Sequence, residues 1–332
     1  MVPLTVLLPV YNAEETIGLA LQSVLQQSFS DFELLAVDDG STDGTMAILQ
    51  QKAAEDPRIR VLPEPHRGIV GALNAGLSEL GPGCRYVARM DADDRMHPRR
   101  LEKQVHALES QPQWGLVASC VQLDPPGGGM QAYVDWMNAL VHSEDISREI
   151  FVESPLCHPS VLLRRTVLEQ FGGYREMGWA EDYDLWLRIH AAGIPMGKLP
   201  EVLHIWRDHP HRLTRTDPRY RSREFFRLKA HFLSQWLDGR ARVWGAGRDG
   251  CRLARELEEN GVEIEVFFDI DPGKIGNTRR RGVPVRGPDA VGPPDAAAPI
   301  VAVVGVPGAR DLIREALVAE GYQEGLHFIC AA

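Results

Sequence analysis

Short apolar runs that end abruptly in polar loops recur through the first half of the chain, and they restrict it to a layered α/β fold. Leu4–Leu8 is rich in β-formers and stops at Pro9, and Glu33–Val37 runs straight into Asp38-Asp39-Gly40-Ser41. Ile59–Leu62 and Tyr86–Arg89 read as two further strands. Between them, apolar residues recur at helical spacing: Ile17, Leu21, Val24 and Leu25, then Met46, Ile48 and Leu49, then Ile69–Leu80. Asn12, with Glu15 three residues on, predicts a capping box for the first helix. Ser41, Thr42 and Asp43 offer caps to the second. Strand–helix alternation of this kind builds a largely parallel sheet, and ligands bind such sheets beyond the carboxyl ends of the strands, where these polar loops fall.

The 332 residues, 44% hydrophobic and 25% charged, describe a globular protein with room for one large domain or two ordinary ones. The 36 basic and 46 acidic residues give a net charge of −10, which argues against a general nucleic-acid binder but leaves room for a local cationic pocket. Cys84, Cys120, Cys157, Cys251 and Cys330 are odd in number and contain no CxxC pair, so reduced thiols are expected, not a disulfide framework or zinc site. No apolar run approaches the ~20 residues of a transmembrane helix. Met1–Val10 lacks a basic region and contains Pro3 and Pro9, so no signal peptide is expected. The expectation is a cytoplasmic enzyme, with peripheral attachment at the inner face of a membrane as a variant.

Pro125–Gly129 is a breaker cluster and predicts a loop. Near residue 240 the α/β pattern starts afresh: strands at Ala241–Trp244, through Phe268, at Val283–Val285 and at Ile300–Val304, with helices ending at Gly261 and Gly321. The expected domains are therefore 1–220, a helical linker 221–239, and a compact α/β unit 240–332. In the linker, Phe225, Leu228, Phe232 and Trp236 form one stripe, widened by Phe226, Leu233 and Leu237, with Arg223, Arg227 and Lys229 as charges. Such a helix either lies in a membrane interface, which suits a lipid-linked acceptor, or packs between domains with its charges solvated; packing is the expectation.

Two acidic clusters sit at predicted strand ends, Asp38-Asp39 and Asp91-Ala92-Asp93-Asp94. Asp is common in strand-to-helix turns as a cap. Three carboxylates within four residues repel one another, however, and carboxylates are the ligands that Mg²⁺ or Mn²⁺ takes beside a substrate phosphate. With Leu8-Pro9-Val10-Tyr11-Asn12, Val37-Asp38-Asp39-Gly40-Ser41, Ala72-Leu73-Asn74-Ala75-Gly76, Pro98, Arg100, Leu101 and Glu102, His158-Pro159-Ser160 and Ala180-Glu181-Asp182-Tyr183-Asp184, the chain resembles the family-2 glycosyltransferases, in order, over roughly its first 215 residues. The resemblance implies a GT-A fold, a mixed and mostly parallel sheet flanked by helices. It also implies an inverting, metal-dependent transfer of sugar from a nucleoside-diphosphate sugar, a UDP-sugar foremost, to a saccharide or lipid-linked acceptor in polysaccharide or glycoconjugate biosynthesis.

The family's roles carry over to matching positions. Pro9, Val10 and Tyr11 line the base, and Asp39 hydrogen-bonds it. Asp91, Ala92 and Asp93 are the DxD signature for ribose, diphosphate and metal, extended by Asp94. Arg67 reaches the diphosphate. His209 stands where members place a late histidine near the metal, with His204 and His211 as competitors. Asp182 is the base that accepts the acceptor hydroxyl's proton, and Glu181 and His158 shape the acceptor side. The Gln-x-x-Arg-Trp motif of the processive synthases is absent, which implies single additions.

Gly245-Ala246-Gly247-Arg248-Asp249-Gly250 follows a strand and opens a helix, and Asp269 ends the next strand about 20 residues on, as in a dinucleotide fingerprint. This supports a small Rossmann-like accessory domain with a nucleotide site at Gly245, Gly247, Gly250 and Asp269. It also raises the rival reading of an NAD-dependent oxidoreductase; a non-catalytic sugar-nucleotide sensor is a third.

Overall fold

The structure is a computed structural model that describes residues 3–332. The chain forms two compact units. The first takes in the chain up to Ser147, then Ser154–Met177 and Glu181–Arg215; the second takes in Arg148–Glu153, Gly178–Ala180 and Thr216–Ala332.

Eight strands form the sheet of the first unit: β1 (Leu4–Val10), β2 (Phe32–Asp38), β3 (Ile59–Pro63), β4 (Tyr86–Arg89), β5 (Arg95–Met96), β6 (Leu116–Asp124), β7 (Leu162–Arg164) and β8 (Met196–Arg207). Their order is β3-β2-β1-β4-β7-β6-β8-β5. The β3-β2-β1-β4 half is parallel. β7 runs antiparallel to β4 and β6, and β5 to β8, while β6 and β8 are parallel. β1 is buried along its whole length, as a strand covered on both faces must be, which is why it reads as a continuous apolar run. The helices α1 (Ile17–Leu25), α2 (Thr45–Glu55), α3 (Gly68–Ser78) and α4 (Arg100–Ser110) supply the cover, and Leu4, Val6 and Leu8 pack with Leu21, Leu34 and Leu101 in one core. α3 lies flush on the sheet at Gly76, where a Cβ would come within 2.3 Å of Leu7 Cδ1.

Parallel pairing brings the ends of β1, β2 and β4 to one edge, with Val10 opposite Asp38 and Leu7 opposite Arg89. At this edge the expected capping box does not form. α1 begins at Ile17 after Thr16, well past Asn12. Asn12 adopts φ 46°, accepts the Thr42 N–H at 2.8 Å and donates its own N–H to Ser41 Oγ at 2.9 Å. Glu14 accepts the Gly44 N–H at 2.6 Å, and Asp43 accepts the Glu14 N–H at 3.1 Å. The loops after β1 and β2 leave adjacent strands together, so their donors find partners across the gap before they find them along the chain. The Pro125 breaker cluster is a loop only as far as Gly128, because Gly129 opens the helix Gly129–Ala139.

The second unit carries a five-stranded sheet, all parallel, of order β11-β10-β9-β12-β13. Its strands are β9 (Arg240–Trp244), β10 (Glu263–Phe268), β11 (Val285–Arg286), β12 (Ile300–Ala302) and β13 (Phe328–Cys330). Trp244, Phe268, Ile300 and Phe328 form its core, with Val152 packed against them. The helix Ser222–Trp236 buries Leu228, Phe232 and Leu233 within this unit. Lys229 is not solvated as its stripe position suggested: it is 5% exposed, and its Nζ donates to the carbonyls of Val152 at 2.6 Å and Ala331 at 3.2 Å. The reason is that this face of the helix meets two backbone carbonyls, which a buried ammonium needs as acceptors. No helix among the described residues is long and apolar enough to cross a membrane.

Candidate functional site

The site grows from the shared edge of β1, β2 and β4. Pro9 and Val10 close β1, and Tyr11 follows them 47% exposed, its ring stacked on His66 at 4.2 Å between centroids. Asp39 holds that arrangement in place. Its Oδ1 accepts the Arg67 N–H at 2.7 Å, and its Oδ2 accepts the Gly68 N–H at 2.9 Å and lies 2.8 Å from His66 Nδ1. Gly40, at φ 73°, permits the approach, because a Cβ there would come within 2.9 Å of the His66 nitrogen. The Arg67 side chain is exposed. His66 escapes sequence reasoning: its only signal is a ring-bearing residue in the loop after β3, at this same edge.

Beyond β4, one oxygen each from Asp91, Asp93 and Asp94 lies within 4.8 Å of the others. Arg89 Nη2 meets Asp91 Oδ1 at 2.6 Å. His209 Nε2 meets Asp93 Oδ2 at 2.8 Å. Asp94 is buried, with Oδ2 2.8 Å from His204 Nε2 and Oδ1 accepting the Arg207 N–H at 2.8 Å. The three histidines near the end of β8 thus separate: His209 meets Asp93, His204 lies in the interior, and the His211 ring is 6.4 Å from that of His209. Loss of water and then the charges of Asp94 and Asp91 push Asp93 up to about 6, against the pull of His209. Burial and then the Asp91 charge push Asp94 up to about 8. This surplus of negative charge at one edge is what a bound divalent cation relieves, so the donor set fits Mg²⁺ or Mn²⁺.

Glu181 and Asp182 occupy the first turn of the helix Glu181–Ala191. Asp182 Oδ1 accepts the Tyr183 N–H at 2.7 Å. Withdrawal from water, followed by the neighbouring Glu181 charge, pushes Asp182 up to about 8, with Arg89 opposing. His158 lies beside them with its Nδ1 3.8 Å from Glu181 Oε1 and its Nε2 2.8 Å from the Tyr174 hydroxyl. Burial, then the Arg89 charge, hold His158 well below its usual value, so the ring is neutral. Asn74 of α3 grips Tyr174 at both backbone groups, at 2.8 and 3.0 Å. Tyr174 and Asn74 were invisible as partners in the sequence, being 100 residues apart.

In the second unit, Gly245, Gly247, Gly250 and Asp269 gather round one loop. Gly245 and Gly250 are required by packing: a Cβ on Gly245 would sit 2.4 Å from the Val303 carbonyl oxygen, and one on Gly250 only 1.8 Å from that of Gly245. Gly247 faces open space. The Asp269 carboxylate already serves its own chain, accepting from Ala246 N at 2.9 Å, Asp271 N at 2.9 Å and Lys274 Nζ at 3.0 Å.

Residues 5–172 match the family model described as Glycosyl transferase family 2. The amylovoran biosynthesis glycosyltransferase AmsE of Erwinia amylovora is 33% identical over 203 residues, covering 60% of this chain and 74% of its own. The S. aureus TarS 1-349 structure in complex with UDP-GlcNAc aligns with a TM-score of 0.58 at 20% identity, covering 77% of this chain and 71% of that one. The mannosyltransferase PcManGT from Pyrobaculum calidifontis, in complex with GDP-Man and Mn²⁺, aligns with a TM-score of 0.51 at 24% identity over 70% and 62% of the two chains. These likenesses agree with the GT-A topology of the first sheet. With a family model spanning half its length and a relative matched over most of that relative's length, this chain belongs to glycosyltransferase family 2.

Proposed function

We propose that the first unit transfers one sugar at a time from a UDP-sugar or another nucleoside-diphosphate sugar to an acceptor hydroxyl, with inversion, in polysaccharide or glycoconjugate biosynthesis. The observation that carries this reading is a single sheet edge bearing a stacked Tyr11–His66 pair at one end and the Asp91–Asp93–His209 cluster at the other. The pair offers a face for the base, with Pro9 and Val10 beneath it. Asp39 holds that face together through Arg67, Gly68 and His66 and hydrogen-bonds the base. Asp91, Ala92, Asp93 and Arg67 meet the ribose and diphosphate. Asp93, Asp91 and His209 hold Mg²⁺ or Mn²⁺, with Asp94 at the rear. A divalent cation held there would supply Lewis acidity to the diphosphate leaving group. Asp182 accepts the proton of the attacking hydroxyl, for which it must be ionised, and Glu181 and His158 line the acceptor side. Asp182 as the one assigned base, with no covalent role assigned to another residue, supports a single displacement.

TarS in complex with UDP-GlcNAc and PcManGT in complex with GDP-Man and Mn²⁺ support the donor class, and the name of AmsE supports the polysaccharide setting. The acceptor is a saccharide, free or lipid-linked, and the site of action is the cytoplasm. Residues 240–332, joined through the segment 221–239, act as an accessory domain. A thermal-shift screen of UDP- and GDP-sugars, each with Mn²⁺, tests the reading, because a ligand of the native state raises its melting temperature. The expected result is stabilisation by at least one of them, followed by metal-dependent release of nucleoside diphosphate. Stabilisation by NADH alone would replace this reading with the oxidoreductase.

A further inference from the structure

Arg100 opens α4, a position where an arginine normally reaches solvent, yet its side chain is 0% exposed. A buried guanidinium must find acceptors, since it can only donate. Its Nε donates to Gln104 Oε1 at 3.0 Å, its Nη2 to the carbonyls of Arg89 at 2.9 Å and Val161 at 3.2 Å, and its Nη1 to His204 Nδ1 at 3.2 Å. The last contact fixes the tautomer of His204: Nδ1 is the bare nitrogen, so the ring proton sits on Nε2 and is donated to Asp94 Oδ2 at 2.8 Å. The other oxygen of Asp94 accepts the N–H of Arg207 at 2.8 Å. Two residues beyond Arg207, His209 meets Asp93, the chain neighbour of Asp94.

We propose that Arg100, His204 and Asp94 form a buried positioning relay that sets His209 and Asp93 in register for the cation and diphosphate, with Asp94 working inside the relay and not as a ligand. Both oxygens of Asp94 are engaged by protein donors, and its side chain is 1% exposed, whereas those of Asp91 and Asp93 are 31% and 28% exposed and can be reached from outside. Asp94 therefore fastens two strands of the site at once: the acidic turn through its own backbone, and the end of β8 through Arg207. Outer-shell partners of this kind fix ligand orientation.

The inference rests on the donor reading above, and its test separates the two. Mn²⁺ binding in the presence of UDP is measured by calorimetry on the full chain. His204→Leu should weaken it about 10–100-fold, while His204→Gln, whose amide N–H reaches towards Asp94, should restore it to within about threefold, although both variants melt lower than wild type. A folded His204→Leu protein with wild-type affinity would overturn the relay, since a purely structural role moves stability and leaves affinity alone. Should His204→Leu fail to fold, Arg100→Lys, which keeps the charge and loses the fork, takes its place with the same expectation. Nitrogen-15 imidazole spectra of the unliganded protein give a second readout: a ring proton on Nε2 supports the relay, and one on Nδ1 overturns it. If the wild-type chain binds no Mn²⁺ with UDP, the donor reading fails, and the imidazole proton alone decides the relay.

Discussion

Asp93 is where charge, exposure and reach coincide. Its side chain is partly exposed and touches His209 without supporting any core residue, so Asp93→Ala should abolish metal-dependent turnover while the melting temperature stays within about 2 °C of wild type, the range expected of surface changes. Glu181 sets a different property. Asp182 is raised to about 8, first by withdrawal from water and then by the Glu181 charge, so the transfer rate should climb with pH up to about that value. Glu181→Gln removes the second cause, and the acid limb of the rate profile should move down by about one pH unit. The sign for stability follows from the same shift. A carboxyl whose folded value lies above its ordinary value of 3.8 is preferred protonated in the fold; its contribution is complete below that ordinary value and is lost as pH rises towards 8. Asp182→Asn should therefore gain melting temperature relative to wild type between pH 4 and 8, measured in the absence of donor. The acidic residues were legible because their type and spacing already state a chemistry. His66 and Tyr174 were not, because each acquires its meaning from a partner delivered by sheet order, and Asn74 stood out only as part of a family motif, with nothing local to name Tyr174 as its partner.

At the scale of elements, the parallel half of the sheet was readable because burial on both faces leaves uninterrupted apolar runs at β1 and β2. β6 and β8 were not. β8 carries Pro200, Glu201 and Val202 exposed in its middle, and its register with β6 shifts at Ser119 and Cys120, so neither an apolar run nor strict alternation survives in the sequence. The mistaken cap at Asn12 has a related cause: the partner that won its side chain lies on another strand's loop. The contact of α3 with the sheet gives a prediction. Gly76 leaves no space against Leu7 and Val37, where a Cβ would come within 2.3 and 3.0 Å. Gly76→Ala should cost about 1–3 kcal/mol through overpacking, despite the better helix propensity of alanine, and chemical denaturation would read this as a lower midpoint at unchanged slope.

For the whole molecule, the second unit is not the continuous stretch that the restart of the pattern near residue 240 implies. It includes Arg148–Glu153, where Glu149, 4% exposed, meets Arg314 at 2.7 Å and Arg310 at 3.5 Å. A short detour of this kind carries no compositional mark, so the sequence could not disclose it. Glu149→Ala leaves the half-buried Arg310 and Arg314 short of one anion and should lower the stability of the unit by about 1–3 kcal/mol, visible as an earlier melting transition with donor-nucleotide affinity unchanged.

That detour also orders events while the chain is being made. Glu149 and Val152 leave the ribosome long before β13 (Phe328–Cys330) exists. At ordinary elongation rates of about 5–20 residues per second, they wait roughly 10–35 s for the partners that will cover them. During that interval a half-made chain presents an acid that the finished protein buries and an apolar side chain that it half-covers, and messages interrupted before the last strand should yield products that chaperones and proteases treat as unfinished.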